Sequence, residues 1–277
     1  MPSPSSVFDP FGVRRLLTVE DRSDRWSLVE IGNPWSRRHY DGRFHLFPVP
    51  PELPAISLVF VQSRNGNTGA DNPAHLGGGP TDRYLIYEGL SRVAADGVMA
   101  GAATIGKSVF FGITHPELLK LRRELGLPQH PAQIVLSEEG HIDLEARVFS
   151  QPHVPVFLLA GEGCVRTHFA GIGQRPWITM VPIGGDLPGA LKTLRRQYGL
   201  ARISCVGGRT VATTLVDAGL VQDIYLTTSA IDGGEPGTPW YAGDRPPQLD
   251  LIVRKREDGA RLPILFEHLA IRPAGPA

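Results

Sequence analysis

The segment ISCVGGRT (Ile203–Thr210) passes from apolar residues to two glycines, an arginine and a threonine, and opens into the helical pattern VATTLVDAG. A strand that gives way to Gly-Gly at a helix start offers unpaired backbone N–H groups and the positive end of a helix dipole, with no Cβ atom in an anion's path. Gly207 and Gly208 are therefore candidates to cradle a phosphate. Arg209 would add a charge-assisted contact, and Thr210 would cap the helix or donate its hydroxyl. A GxGxxG fingerprint and a P-loop lysine are both missing here. From the local pattern alone, a phosphate cradle and a turn packed tightly for its own sake are equally good readings. A second apolar run, DGVMAGAATIG (Asp96–Gly106), also ends on small residues, Gly101-Ala102-Ala103-Thr104. Ligands of open α/β sheets bind at the carboxyl ends of strands, where both segments fall. Two such edges suit opposite ends of one long cofactor.

Other chemistries find little support. Nine histidines lie scattered without HExxH or paired ligand spacing, so no metal is expected. No GxSxG elbow accompanies Ser63 or Ser204, which argues against a hydrolase. Cys164 and Cys205 lack CxxC spacing, and Cys205 reads as a small buried strand residue rather than a reactive thiol. Lys plus Arg and Asp plus Glu number 28 each, so no net field draws nucleic acid or an anionic membrane. The patch RRHYDGRFH (Arg37–His45) reads as a solvated hairpin. The N-terminus MPSPSSVFDPFG lacks a signal-peptide pattern, and no apolar run approaches the roughly 18 residues of a membrane span. A soluble, cytoplasmic protein without nucleic-acid or membrane partners is expected.

These segments need a sheet to hold them. Residues 1–54, rich in Pro, Arg and Asp, read as an N-terminal extension laid over a core, and PVPPELP (Pro48–Pro54) as an extended connector. The remaining 55–277 form the main domain. Ala55–Gln62, Asp96–Ala100, Ala132–Ser137, Val154–Ala160, Trp177–Val181 and Ile203–Val206 are apolar runs with little alternation, as in strands buried on both faces of a parallel sheet. Helices are expected over Thr81–Ala95, Thr114–Leu125, Gly189–Tyr198 and Thr210–Ala218, the last three each stopped by a glycine. Leu249–Lys255 and Leu262–Ile271 flank an Asp258-Gly259 turn signal, so the sheet should end in an antiparallel hairpin. The fold class is α/β, a mostly parallel central sheet flanked by helices.

Four blocks occur in order: VQSRNGNTG (Val61–Gly69), DGVMAGAATIG, HPAQIVLSEEGHIDLEARVF (His130–Phe149) and ISCVGGRTVATTLVDAGLVQDIYLTTSAIDGG. Together they resemble the reductase domain of riboflavin biosynthesis, whose fold is similar to dihydrofolate reductase, over roughly residues 55–270, as a stand-alone divergent member. The resemblance implies an NAD(P)H-dependent oxidoreductase that works as a homodimer, with NADPH favoured and NADH the other candidate. It also implies site residues. Gly101, Ala103, Thr104 and Ile105 match the cofactor loop, Ser137 a position near the adenosine phosphate, and Val206, Gly207, Gly208, Arg209 and Thr210 the pyrophosphate loop. Ser63, Asn65 and Gly66 match the substrate-side SLDG segment.

Four departures follow from the same alignment of blocks. The SLDG aspartate is Asn65, a neutral amide, and the glutamate usual before the glycine pair is Val206. Glu138-Glu139 stand where a basic residue would meet the 2′-phosphate of NADPH, and IGKSVFFGITHPELL lacks the usual arginine. The deaminase signature H-x-E with P-C-x-x-C is missing. The function expected is hydride transfer to a small heterocyclic, ribosylamino or imine-type substrate, not confined to riboflavin synthesis. The alternative is a catalytically silent nucleotide-binding or scaffolding member of the same fold. No catalytic residue is singled out: Asp232, Glu162, a substrate group or water would each supply the proton.

Overall fold

Apolar runs without polar alternation have to be covered on both faces, and helices cover them here. The computed structural model describes residues 9–70, 72–138, 142–259, 262 and 264–272. The order is β1 (Leu16–Asp21), β2 (Val29–Ile31), α1 (Pro34–Tyr40), β3 (Phe44–Leu46), β4 (Ala55–Gln62), and α2 (Gly79–Thr81) running on as a π-helix, Asp82–Leu90. Then come β5 (Gly97–Gly101), α3 (Pro116–Glu124), β6 (Ala132–Ser137), β7 (Val156–Ala160), α4 (Glu162–Ile172), β8 (Ile178–Pro182) and α5 (Leu187–Tyr198). The chain closes with β9 (Arg202–Cys205), α6 (Arg209–Asp217), β10 (Asp223–Thr228), β11 (Gln248–Glu257) and β12 (Leu265–Arg272).

A 10-stranded sheet has the order β1-β11-β12-β10-β4-β9-β5-β6-β7-β8. Strands β10 through β8 in that order run parallel, and β12, β11 and β1 add antiparallel neighbours at one side. The α/β class, the largely parallel sheet and the antiparallel C-terminal pair are thus as the sequence implies. On one face Leu191, Leu194 and Leu215 of α5 and α6 pack on Ile56, Leu58 and Ile203. On the other, Leu85, Ile86 and Leu90 of the π-helix, with Leu118 and Leu121 of α3, cover Val59 and Tyr225.

Several elements differ from expectation. The helix expected over Thr81–Ala95 is wound as a π-helix, with the Ser91 N–H donating five residues back to Ile86 at 2.9 Å. It stops early because the fully buried Arg122 guanidinium takes the carbonyls of Arg92, Val93 and Ala95 at 3.3, 3.2 and 2.7 Å, so they are withdrawn from helical bonding. Burial pushes Arg122 down to about 10. The patch Arg37–His45 is no hairpin: Arg37–Tyr40 end α1, whose start is boxed by Asn33 and Ser36, and Asp41 closes it with φ 58° before β3. Strand β10 and helices α1 and α4 were not expected. The extension contributes β1 to the main sheet and pairs β2 with β3 beside it.

Strand β10 carries the junction between the parallel and antiparallel parts. Its Asp223 meets His268 of β12 at 2.6 Å, both side chains wholly buried. Removing one member of a buried pair strands the other. Asp223→Ala is expected to lower stability by about 3 kcal/mol, read as a shift in urea unfolding midpoint, with Val19→Ala, exposed on the edge strand β1, as the mild comparison.

Candidate functional site

All the parallel strands end at one edge, so the small-residue segments come together there. Strands β5 and β9 are neighbours, in register from Gly97↔Ile203 to Met99↔Cys205. Past the paired residues the backbones stay in contact: the Gly101 N–H donates to the Gly207 carbonyl at 3.2 Å, and the Gly208 N–H to the Thr104 hydroxyl at 3.1 Å. The two loops therefore stand side by side and do not bracket the ends of a long ligand.

Their glycines have separate reasons. Gly207 holds φ 117°, a left-handed conformation that side chains disfavour. A Cβ on Gly101 would lie 2.9 Å from Val211 Cγ2, and one on Gly208 3.0 Å from the Thr104 hydroxyl. The tight turn and the cradle are consequently the same object. Gly208 is the N-cap of α6, and no side chain caps that end. Thr210 lies exposed in the first turn and does not cap the helix, which leaves its hydroxyl to the other role, donation to a ligand. Arg209 is anchored by its Nε, which donates to the Pro239 carbonyl at 2.6 Å. Uncapped first-turn amides, two glycines and a tethered guanidinium fit a phosphate-bearing cofactor.

The remaining expected residues surround this pair of loops. Ala103 is exposed in a 3-10 turn (Ala102–Thr104), while Ile105 packs with Val109, Phe111 and Val206 into an apolar floor over Val98 and Ala100. Ser137 is buried at the end of β6, the strand beside β5. Glu138 after it is exposed, and Glu139 lies outside the described residues. On the other flank, Phe60 of β4 sits beside Gly207 and stands 6.4 Å from the Trp240 ring.

The substrate-side segment is occupied with its own geometry. Ser63 is fully buried, its hydroxyl within 2.5 Å of the Asn65 amide oxygen and 2.8 Å of the Gly233 carbonyl. Asn65 is exposed at the turn closed by the Gly66 N–H on the Ser63 carbonyl at 2.9 Å, and Gly66 has open space around it. Asp232, one proton source considered, is bound to Arg64, whose guanidinium lowers the carboxyl's pKa. It is thus kept ionised. Glu162, the other, opens α4 beyond β7, three strands from β9, and pairs with Arg166 at 3.7 Å.

One acidic residue escaped the sequence reading. Asp82, half-buried in the first turn of the π-helix, accepts a hydrogen bond from the Thr227 hydroxyl of β10 at 2.5 Å. Burial raises its carboxyl to about 6, although the Thr227 bond acts downward. Nothing in GGGPTD marks it except an acid at a helix start, and its partner lies 145 residues on.

A sequence profile for the RibD C-terminal domain matches residues 78–258. The chain belongs to this family. No curated protein is matched in sequence. Among solved structures it is similar to Acinetobacter baumannii RibD, with 16% identity over 80% of this chain and 59% of that one and a TM-score of 0.63. A pyrimidine reductase-like protein from Corynebacterium diphtheriae aligns with 16% identity over 80% of this chain and 93% of its own, TM-score 0.58. The Thermotoga maritima diaminohydroxyphosphoribosylaminopyrimidine deaminase/5-amino-6-(5-phosphoribosylamino)uracil reductase gives 13%, 79%, 57% and 0.58 in the same terms. The chain spans only part of the first and third of these, and at such identities the likeness is one of fold. Among the described residues no helix is long and apolar enough to cross a membrane, and no three His, Cys, Asp or Glu side chains gather as they would round a metal.

Two outcomes follow from the loop geometry. Gly207→Ala is expected to cost about 1 kcal/mol through its left-handed φ, seen in thermal unfolding, and to loosen the β5–β9 edge in hydrogen exchange at Thr104 and Gly208. Burial pushes the Cys205 thiol up to about 11 and raises Cys164 as well. Iodoacetamide at pH 8 should accordingly label neither cysteine in the folded protein and both after unfolding, counted by mass spectrometry.

Proposed function

We propose that this chain is a nicotinamide-dependent reductase, with NADPH favoured over NADH, that delivers hydride to a small heterocyclic, ribosylamino or imine-type substrate, not confined to riboflavin synthesis. The observation that carries the reading is the junction of Gly101–Thr104 with Gly207–Arg209 at the uncapped mouth of α6. Membership of the RibD C-terminal domain family supports it, as do the reductase names of the similar structures. A bound dinucleotide supplies hydride; the protein has only to hold it, align the acceptor and keep water out.

The first-turn amides of α6 and the Arg209 guanidinium would hold the pyrophosphate. The apolar floor of Ile105, Val109, Phe111 and Val206 would exclude water beside the loops, and Phe60 with Trp240 would close the opposite flank. Ser137 would lie toward the adenosine end, and Glu138 beside it is exposed to solvent. Ser63, Asn65 and Gly66 would border the substrate, a homodimer would be the working form, and the cytoplasm the compartment. A silent nucleotide-binding member is the second reading. What favours it is that the Ser63 hydroxyl and the Asn65 amide are spent on one another and on Gly233.

Titration with NADPH and NADH should quench tryptophan emission, and Trp240→Phe should remove most of the quench. Arg209→Ala should weaken binding about tenfold, as the loss of a charge-assisted contact does. Absence of binding by either dinucleotide at millimolar concentration would sink both readings. Substrate-dependent loss of nicotinamide absorbance with 5-amino-6-(5-phosphoribosylamino)uracil, its dephosphorylated form or cyclic imines selects the enzyme, and binding without turnover selects the silent member. Sedimentation at micromolar concentration should give twice the chain mass.

A further inference from the structure

The N-terminal extension crosses the sheet at the edge remote from the glycine loops. Strand β12 runs antiparallel to β10, and Asp223, where β10 begins, pairs with Ala270, so Arg272 stands past the amino ends of the parallel strands. There the Arg22 N–H donates to the Ile252 carbonyl of β11 at 2.7 Å. A 3-10 turn (Ser23–Arg25) follows, closed by the Arg25 N–H on the Arg22 carbonyl and the Trp26 N–H on the Ser23 carbonyl, both at 3.1 Å. Side chains three residues apart in so tight a turn fall on one side, as those of Arg22 and Arg25 do. Trp26 beyond them packs with Ile252 and Ala270, and the Phe47 ring meets it edge-on at 5.6 Å.

A cavity of about 200 Å³ lies beside this turn, lined by Arg22, Arg25, Trp26, Asp250, Leu251 and Arg272. Its charges do not balance. Arg22 pairs with Glu20 and Arg272 with Asp250, each at 2.5 Å, whereas the Arg25 guanidinium has no partner among the described residues. Like charges gathered round one small space repel unless something negative lies between them. The two pairs are solvent-exposed, and such pairs contribute little to stability. Fold stability is therefore a weak reason to bring three guanidiniums together. Each has donors to spare: Arg22 reaches Glu20 through Nε and Nη2, Arg272 reaches Asp250 through Nε, and the whole fork of Arg25 is free. Trp26 adds a half-buried indole, with the Arg272 guanidinium 5.9 Å from its ring, and Leu251 adds an apolar side chain. Asp250 Oδ1 has only a contact of 3.5 Å from the Gln248 amide, so it can still accept a hydrogen bond.

We propose that this cavity is a ligand site separate from the glycine loops, and that it takes a single planar heterocycle carrying an anionic substituent and a ring N–H. The ring lies against Trp26 and Leu251. The anionic group is held by Arg25 and the spare nitrogens of Arg22 and Arg272, and the ring N–H donates to Asp250 Oδ1. Volume limits the ligand to one ring and its substituent, since pockets for drug-sized molecules begin at roughly 300 Å³. A dinucleotide is too large for it. The site binds without chemistry, and it stands independently of the reductase reading.

Orotate, a pyrimidine with a carboxylate and ring N–H groups, is the probe. The four tryptophans are followed by their indole N–H signals in nitrogen-labelled NMR, with that of Trp26 assigned by its loss in Trp26→Phe. Orotate should move the Trp26 signal and leave that of Trp240, on the flank of the glycine loops, in place, with a Kd of about 1 mM or tighter. Uracil lacks the anionic group, benzoate the N–H and inorganic phosphate the ring, and each should bind about tenfold more weakly. Arg25→Ala should weaken orotate about tenfold as well. That side chain has no bond to lose on folding, and unchanged Trp35 and Trp177 signals check that the variant is folded. Saturating NADPH should leave orotate affinity within about twofold, as expected of separate sites. A Trp26 signal unmoved at about 10 mM orotate, phosphate or benzoate binding as tightly as orotate, or wild-type affinity in Arg25→Ala overturns the proposal. Movement of the Trp240 signal in place of Trp26 puts orotate at the glycine loops and overturns it equally. Failure of NADPH to bind defeats the reductase reading and leaves the orotate result to decide this one.

Discussion

The pair of bonds between the ends of β5 and β9 is the contact on which the rest of the edge depends. For the Gly101 N–H to reach the Gly207 carbonyl and the Gly208 N–H to reach Thr104, neither Gly101 nor Gly208 has room for a side chain. That closeness turns the chain at Gly207 and starts α6 at Arg209, with its first amides facing out past the sheet. It also leaves Val206 as the last side chain of β9 on the π-helix face, where it joins Phe111 and Ile105 in an apolar floor. A single steric condition thereby sets the direction of a helix, the exposure of its amides and the polarity of the surface beside them.

A chain with equal numbers of acids and bases can make an anion site only locally. Arg209 does this at small conformational cost, because its Nε is already fixed on Pro239 and the loop that carries Pro239 is itself held by Tyr241 on Asp217 and by the Ala242 N–H on Thr213. The helix that offers its amides is thus also the one that anchors the loop restraining its arginine. Order at the cofactor side is built from short contacts between neighbouring elements.

Sheet strands were legible because burial on both faces removes polar alternation, and β4, β6 and β9 fall within a residue of where their apolar runs place them. Strand β10 was not, since DIYLTT opens on an acid that a strand buries only through a partner far away, His268 for Asp223. The π-helix was equally hidden, because its early end depends on Arg122, an arginine of α3 that is wholly buried. In the site, glycines and their neighbours could be read one loop at a time. The contact that joins them spans 104 residues, and no spacing rule reports it.

The same limit explains why the substrate side looked emptier in the sequence than in the structure. Asn65 puts a neutral amide in the loop after β4 and Val206 an apolar side chain at the end of β9, so on a linear view neither segment carries an acid at these positions. In three dimensions an acid, Asp82, is supplied by the first turn of the π-helix and held by Thr227 of β10. Burial penalises that carboxyl for ionising and raises it to about 6, although the Thr227 bond acts downward. The acid and the threonine that holds it are 145 residues apart in the chain, so no spacing in the sequence joins them.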